Sequence, residues 1–161
     1  MTGYLFFPLT RRQAEKIVGW SYDPPYDVYD LRLEDLMSLL IKEYRYHQVL
    51  DISGDLVGYC CYGEDARVPG GEYSRGEPDV LDVGVGLRPD LVGQGLGRDF
   101  VRAILDFARK AYSPLIFRAT VADFNQRSMK TFHHLGFEAT FRFDRKPGGM
   151  PFTQLERRCD G

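Results

Sequence analysis

The sequence predicts a mixed α/β fold built around one central sheet, with elements in the order β-α-α-β-β-β-α-β-α-β-β. Three observations predict it. Short runs rich in aromatic and β-branched residues are interleaved with segments whose apolar residues recur at helical spacing. Val80 to Leu87 alternates, with Val83, Val85 and Leu87 on one side and Asp82, Gly84 and Gly86 on the other, which marks a strand with an unusually bare second face. A glycine-rich turn, Gly93 to Gly97, then leads straight into a segment carrying Phe100, Val101, Ile104, Leu105, Ala108 and Ala111 at helical spacing.

The elements follow in order. Thr2 to Leu9 reads as a short aromatic strand closed by Pro8. Thr10 is placed to N-cap a helix whose stripe is Ala14, Ile17 and Val18. Pro24 and Pro25 forbid a regular helix between Trp20 and Tyr29. Leu33, Leu36, Met37, Leu40 and Ile41 restore the spacing of a second helix. Tyr46 to Ile52 and Leu56 to Gly63 form antiparallel strands around the turn residues Ser53, Gly54 and Asp55. Residues 65–79 lack periodicity and contain Pro69, Gly70, Gly71, Gly76 and Pro78, the composition of a long, mobile surface loop. After the glycine turn and its helix, Ser113 and Pro114 break the pattern. Leu115 to Val121 is a strand, Asn125 to Leu135 a helix, and Phe137 to Phe143 and Phe152 to Arg157 are the last two strands.

Length and composition set the limits. The 161 residues fit one domain, 1–161, that needs neither metal nor disulfide to fold. Twenty-one basic against 23 acidic residues leave a net charge of -2, which argues against general nucleic-acid binding. The longest apolar stretches, Leu36 to Ile41 among them, are far short of a membrane span, and the first residues carry no secretory pattern. Cys60, Cys61 and Cys159 are odd in number and form no CxxC pair, so no disulfide framework or metal site is expected and a reducing cytoplasm suits the chain. Exposed strand edges and the C-terminal strand leave pairing into a homodimer open.

The stretch from Leu87 to Arg98 carries the chemistry. Glycines allow positive φ and close approach of backbone to a ligand. The unpaired N–H groups of a helix start then attract an anion. Arg98 sits in the first turn, where the helix dipole disfavours a cation and a bound phosphate would compensate. No Lys-Ser or Lys-Thr follows the glycines, which excludes a Walker A loop, and the spacing GxGxG differs from the GxGxxG of a dinucleotide fold. A plain turn is the simpler alternative.

Leu87-Arg88-Pro89 followed by Val92-Gly93-Gln94-Gly95-Leu96-Gly97 resembles the pyrophosphate loop of the GCN5-related N-acetyltransferase (GNAT) superfamily, except that Val92 replaces the family's Gln or Arg. Asn125 to Ser128, with Gly136-Phe137 closing the helix, resembles that family's N-x-x-[AS] helix, 28 residues after the loop (125 minus 97). Residues 80–143 carry the resemblance strongly. It implies an acyl-CoA N-acyltransferase fold with a mixed, mostly antiparallel sheet split between its fourth and fifth strands. It also implies transfer of acetyl from acetyl-CoA, without a metal, to a primary amine of a small molecule or peptide. Backbone groups of Val85, Gly86 and Leu87 would meet the pantetheine, and Val92, Gly93, Gln94, Gly95, Leu96, Gly97 and Arg98 the pyrophosphate. Asn125 and Ser128 would complete the cofactor site.

The acid and base are harder to place. The family's tyrosine position is Phe132, and the glutamate position of its N-terminal protein acetyltransferases is Thr120. The candidate base is Asp82, the carboxylate on the bare face of the fourth strand, with an exposed strand aspartate as the plainer alternative. His133 or His134 is a candidate acid. Trp20, Tyr22, Tyr26 and Tyr29, crowded between prolines and followed or flanked by Asp23, Asp27 and Asp30, are candidates for binding a cationic acceptor. A CoA-binding module without turnover and a nucleotide-binding structural protein are the competing classes.

Overall fold

The computed structural model describes residues 3–159; Thr2, the first residue of the expected opening strand, lies outside them. The strands are β1 (Tyr4–Pro8), β2 (His47–Asp51), β3 (Leu56–Tyr62), β4 (Val80–Leu87), β5 (Ile116–Ala122), β6 (Glu138–Asp144) and β7 (Pro151–Arg158). The helices are α1 (Arg11–Val18), α2 (Leu36–Leu39), α3 (Gly97–Tyr112) and α4 (Gln126–His134). All seven strands form one sheet in the order β1-β2-β3-β4-β5-β7-β6. Only β4 and β5 run parallel; the remaining neighbours are antiparallel.

Local signals account for the element boundaries. The Thr10 hydroxyl accepts from the Gln13 N–H and starts α1. Ser113 adopts a left-handed φ of 49° and ends α3 ahead of Pro114. Gly54 turns the β2–β3 hairpin with φ 88°.

One face of the sheet carries the main core. Leu81 and Val83 of β4 and Phe117, Ala119 and Val121 of β5 pack under Phe100, Val101, Ile104, Leu105 and Ala108 of α3 and Phe132 of α4. The other face is divided. Beside β2 and β3 it is apolar, with Ala14, Ile17, Leu36, Leu39 and Leu56 packed together. Beside β4, β5 and β7 it is polar and holds buried Asp82, Arg118 and Gln154.

Three expectations change. The second helix is reduced to one α-helical turn between short 3-10 turns at Leu33–Asp35 and Lys42–Tyr44. Its stripe therefore does not face one way: Leu36 and Leu39 are buried, while Leu33 and Met37 are 75% and 67% exposed. The segment before β4 is not a loose loop. Gln154 of β7 accepts from the Glu72 N–H and donates to the Glu72 carbonyl, and Arg118 donates to the Arg75 carbonyl. Its backbone polar groups are satisfied by buried side chains of the sheet, which holds it in place. The C-terminal strand β7 lies between β5 and β6, so it has no free edge; the sheet ends at β1 and β6. Among the described residues no helix is long and apolar enough to cross a membrane.

Candidate active site

The site begins where β4 and β5 part. They pair through Val80–Ile116, Leu81–Phe117 and Asp82–Arg118, and the register stops there although both strands continue. Beyond Asp82, β4 pairs only with β3, while β5 pairs along its length with β7. A V-shaped split therefore opens between Val83–Leu87 and Ala119–Ala122.

Strand alternation decides which backbone groups enter it. The Asp82 carbonyl accepts from Gly63 and the Arg88 N–H donates to Val57, so even-numbered residues of β4 address β3. Val85 and Leu87 consequently turn their N–H and C=O groups to the split. Gly86, expected beside them, turns toward β3; its carbonyl lies 2.5 Å from where a Cβ on Gly58 would sit. The bare face of β4 is not open space either. A Cβ on Gly86 would lie 2.2 Å from the Tyr59 ring, and one on Gly84 2.7 Å from the Cys61 sulfur. These glycines admit neighbours from β3 rather than a ligand.

The glycine loop caps the split. Gly93 and Gly95 have φ of 80° and 78°, conformations that suit glycine and strain other residues. A Cβ on Gly95 would meet nothing within 4 Å. Leu96, the N-cap of α3, provides no side-chain acceptor. The first N–H groups of this 16-residue helix are thus left for an outside partner. Gln94 folds back to donate to the Asp90 carbonyl at 2.6 Å, and Arg98 is exposed. Arg127 of α4 adds a cation beside the loop: its guanidinium would lie 3.4 Å from a Cβ on Gly93 and stands 5.3 Å from the Tyr26 ring centre. The packing of α4 against α3 brings it to the glycine turn.

The Trp20–Tyr29 segment bridges the mouth of the V. Tyr22 donates to the Leu87 carbonyl at 2.6 Å on the β4 side. On the β5 side, the Tyr29 hydroxyl accepts from the Asn125 amide at 3.2 Å, and Tyr26 and Tyr29 pack against Phe124. Asn125 also caps α4, accepting from the Ser128 N–H at 3.1 Å. Burial raises the Tyr22 and Tyr29 phenols above the usual tyrosine value. Trp20 is drawn away, packing 6.1 Å from the Tyr59 ring in the second apolar cluster. The structure thus joins Tyr22, Tyr26, Tyr29, Asn125 and Ser128 to the split and leaves Trp20 out.

Asp82 marks the vertex of the V, but in an arrangement that speaks against the expected base. It is 2% exposed and bound by two arginines. Arg118, itself 1% exposed, donates at 2.6 and 2.8 Å, and Arg67 donates at 3.0 Å. A carboxylate engaged in this way has its oxygens committed to two guanidinium groups. The histidines fare no better: His133 and His134 are exposed on α4. Phe132 is buried in the main core, edge-on to Phe137 at 5.0 Å.

The sequence model of the acetyltransferase (GNAT) family matches residues 10–137. The chain belongs to this family. Solved structures share its fold. The aminoglycoside acetyltransferase AAC(6')-Ib in complex with coenzyme A is 18% identical, with 98% of this chain and 95% of that chain covered and a TM-score of 0.75. A GNAT-family acetyltransferase from Bacillus anthracis is 14% identical over 96% of this chain and 94% of that one, with a TM-score of 0.74. The protein yncA from Salmonella typhimurium, solved with acetyl-CoA, is 16% identical over 98% of this chain and 94% of that one, with a TM-score of 0.66. No curated protein matches the chain in sequence.

Proposed function

We propose that this GNAT protein moves the acetyl group of acetyl-CoA directly to a primary amine of a small molecule or peptide. The observation that carries the reading is the parting of β4 and β5 beneath the glycine loop. The split gives an extended amide chain the backbone groups of Val85 and Leu87 to pair with. The loop, the start of α3 and Arg127 offer N–H groups and a cation to a pyrophosphate. Relatives of the same fold solved with coenzyme A or acetyl-CoA support the donor. Tyr22, Tyr26 and Tyr29, with Asp23 and Asp27 on the same segment, form the side from which a cationic amine would approach. Cys60 and Cys61, both buried free thiols, fit a reducing cytoplasm.

Calorimetric titration with acetyl-CoA, with CoA and ATP as controls, tests the donor. Binding of acetyl-CoA and CoA but not ATP is expected. Release of free thiol from acetyl-CoA across a panel of amines then tests turnover. Binding without thiol release would leave a non-catalytic acyl-CoA module, and no binding to any of the three would remove the enzyme reading.

A further inference from the structure

The family's usual proton donor is lacking at Phe132, and the fold brings another phenol to the split. Tyr73, on the segment between β3 and β4, reaches the Thr120 hydroxyl at 2.8 Å. Thr120 lies on β5 two positions beyond Arg118, the last residue paired with β4, and so stands just inside the vertex of the V. It points to the face away from α3, the face that also carries Tyr22 and Tyr29.

The phenol is held from several directions. The Val68 N–H donates to its oxygen at 2.9 Å, and the phenol and the Thr120 hydroxyl share the second hydrogen bond. The guanidinium carbons of Arg118 and Arg67 stand 4.8 and 5.3 Å from its ring centre, and Asp82 fixes both arginines. Gly71 permits this placement, because a Cβ there would lie 2.6 Å from the Tyr73 ring. Burial raises the Tyr73 phenol above its ordinary value, against the pull of Thr120, Val68 and Arg118, so it keeps its proton at neutral pH. The bonds from Thr120 and Val68 and the charge of Arg118 favour the phenolate as it forms, and the Asp82 carboxylate opposes it.

Resting on the function proposed above, we infer that Tyr73 is the general acid for the departing thiolate, with Thr120 as the residue that positions its hydroxyl. The amine nitrogen attacks the thioester carbonyl, a C–N bond forms, and the C–S electron pair leaves on sulfur. Sulfur takes the Tyr73 proton, and the proton shed by nitrogen returns to the phenolate through water. Amine and acetyl thioester become amide and thiol, with no other reactant.

The test compares wild type, Tyr73→Phe and Thr120→Val by acetyl-CoA titration, melting point and steady-state kinetics with an amine that wild type acetylates. Tyr73→Phe keeps the ring beneath both guanidinium ions and loses only the hydroxyl. The expected result is acetyl-CoA affinity and amine KM within twofold of wild type, with kcat lower by about a hundredfold. Thr120→Val is expected to lower kcat less, by about tenfold, with KM unchanged. A Tyr73→Phe kcat within twofold of wild type overturns the assignment while the proposed function stands. A parallel fall in acetyl-CoA affinity and melting point would also overturn it, showing a packing role. Wild-type protein that binds no acetyl-CoA overturns both readings together.

Discussion

The two halves of the β4–β5 pair differ in what holds them and in what they leave exposed. In the first half, Val80 to Asp82, backbone hydrogen bonds join the strands, and the Asp82–Arg118 pair closes the end of the ladder. In the second half the ladder is absent, and the Trp20–Tyr29 segment spans the gap, with Tyr22 bonded to Leu87 and Tyr29 to Asn125. A parallel pair normally continues for as long as its strands do, because an unpaired backbone group is costly when buried. Here β3 and β7 each keep hold of one strand, and the strands diverge around a fixed vertex. The polar cluster stands at that vertex, where the pairing ends.

The largest expected effect comes from breaking the vertex. Asp82→Ala leaves the buried Arg118 without its carboxylate partner, which costs about 3–5 kcal/mol. A melting point lower by about 10 °C is expected by calorimetry. If stability stayed unchanged, the contrast between a locked and an open half would lose its basis. A second substitution acts on the open half alone. Gly95→Ala places a Cβ where φ is 78° but no neighbour stands within 4 Å. The strain costs about 1–2 kcal/mol, so the fold should survive while acetyl-CoA affinity, read by titration, falls more than tenfold. The smallest effect is expected from Arg127→Ala. It removes one exposed cation beside Gly93 and should weaken acetyl-CoA binding by about fivefold, equivalent to roughly 1 kcal/mol, with the melting point unchanged. A larger loss would show that the split depends on α4 as much as on α3.

Much of the fold was legible because local chemistry specified it. The alternation from Val80 to Leu87 placed β4 with its observed ends, and Thr10 and Asn125 announced the helices they cap. The second helix was misread because apolar spacing at Leu33, Met37 and Ile41 mimics a stripe that no neighbour covers. Within the site, the glycine loop stood out from its φ requirements and its place before a helix. Asp82 stood out as a candidate base on the bare face of β4, but its contacts were not readable: its partners lie 15 and 36 residues away, and nothing in the strand's own pattern points to them. Tyr73 carried no signal at all within a segment that looked like loose loop.

The sequence by itself determined the order of strands and helices, the caps, the positive-φ turn at the anion loop and the family resemblance. Each of these rests on interactions between residues near one another in the chain. Tertiary structure alone decided which face of β4 is covered by Tyr59 and Cys61, and which of its backbone groups enter the split. It also decided that Asp82 is consumed in an ion pair and that Tyr73 stands beside Thr120. Those outcomes depend on contacts between segments far apart in sequence, and a side chain's chemistry is set by the neighbours that folding brings to it.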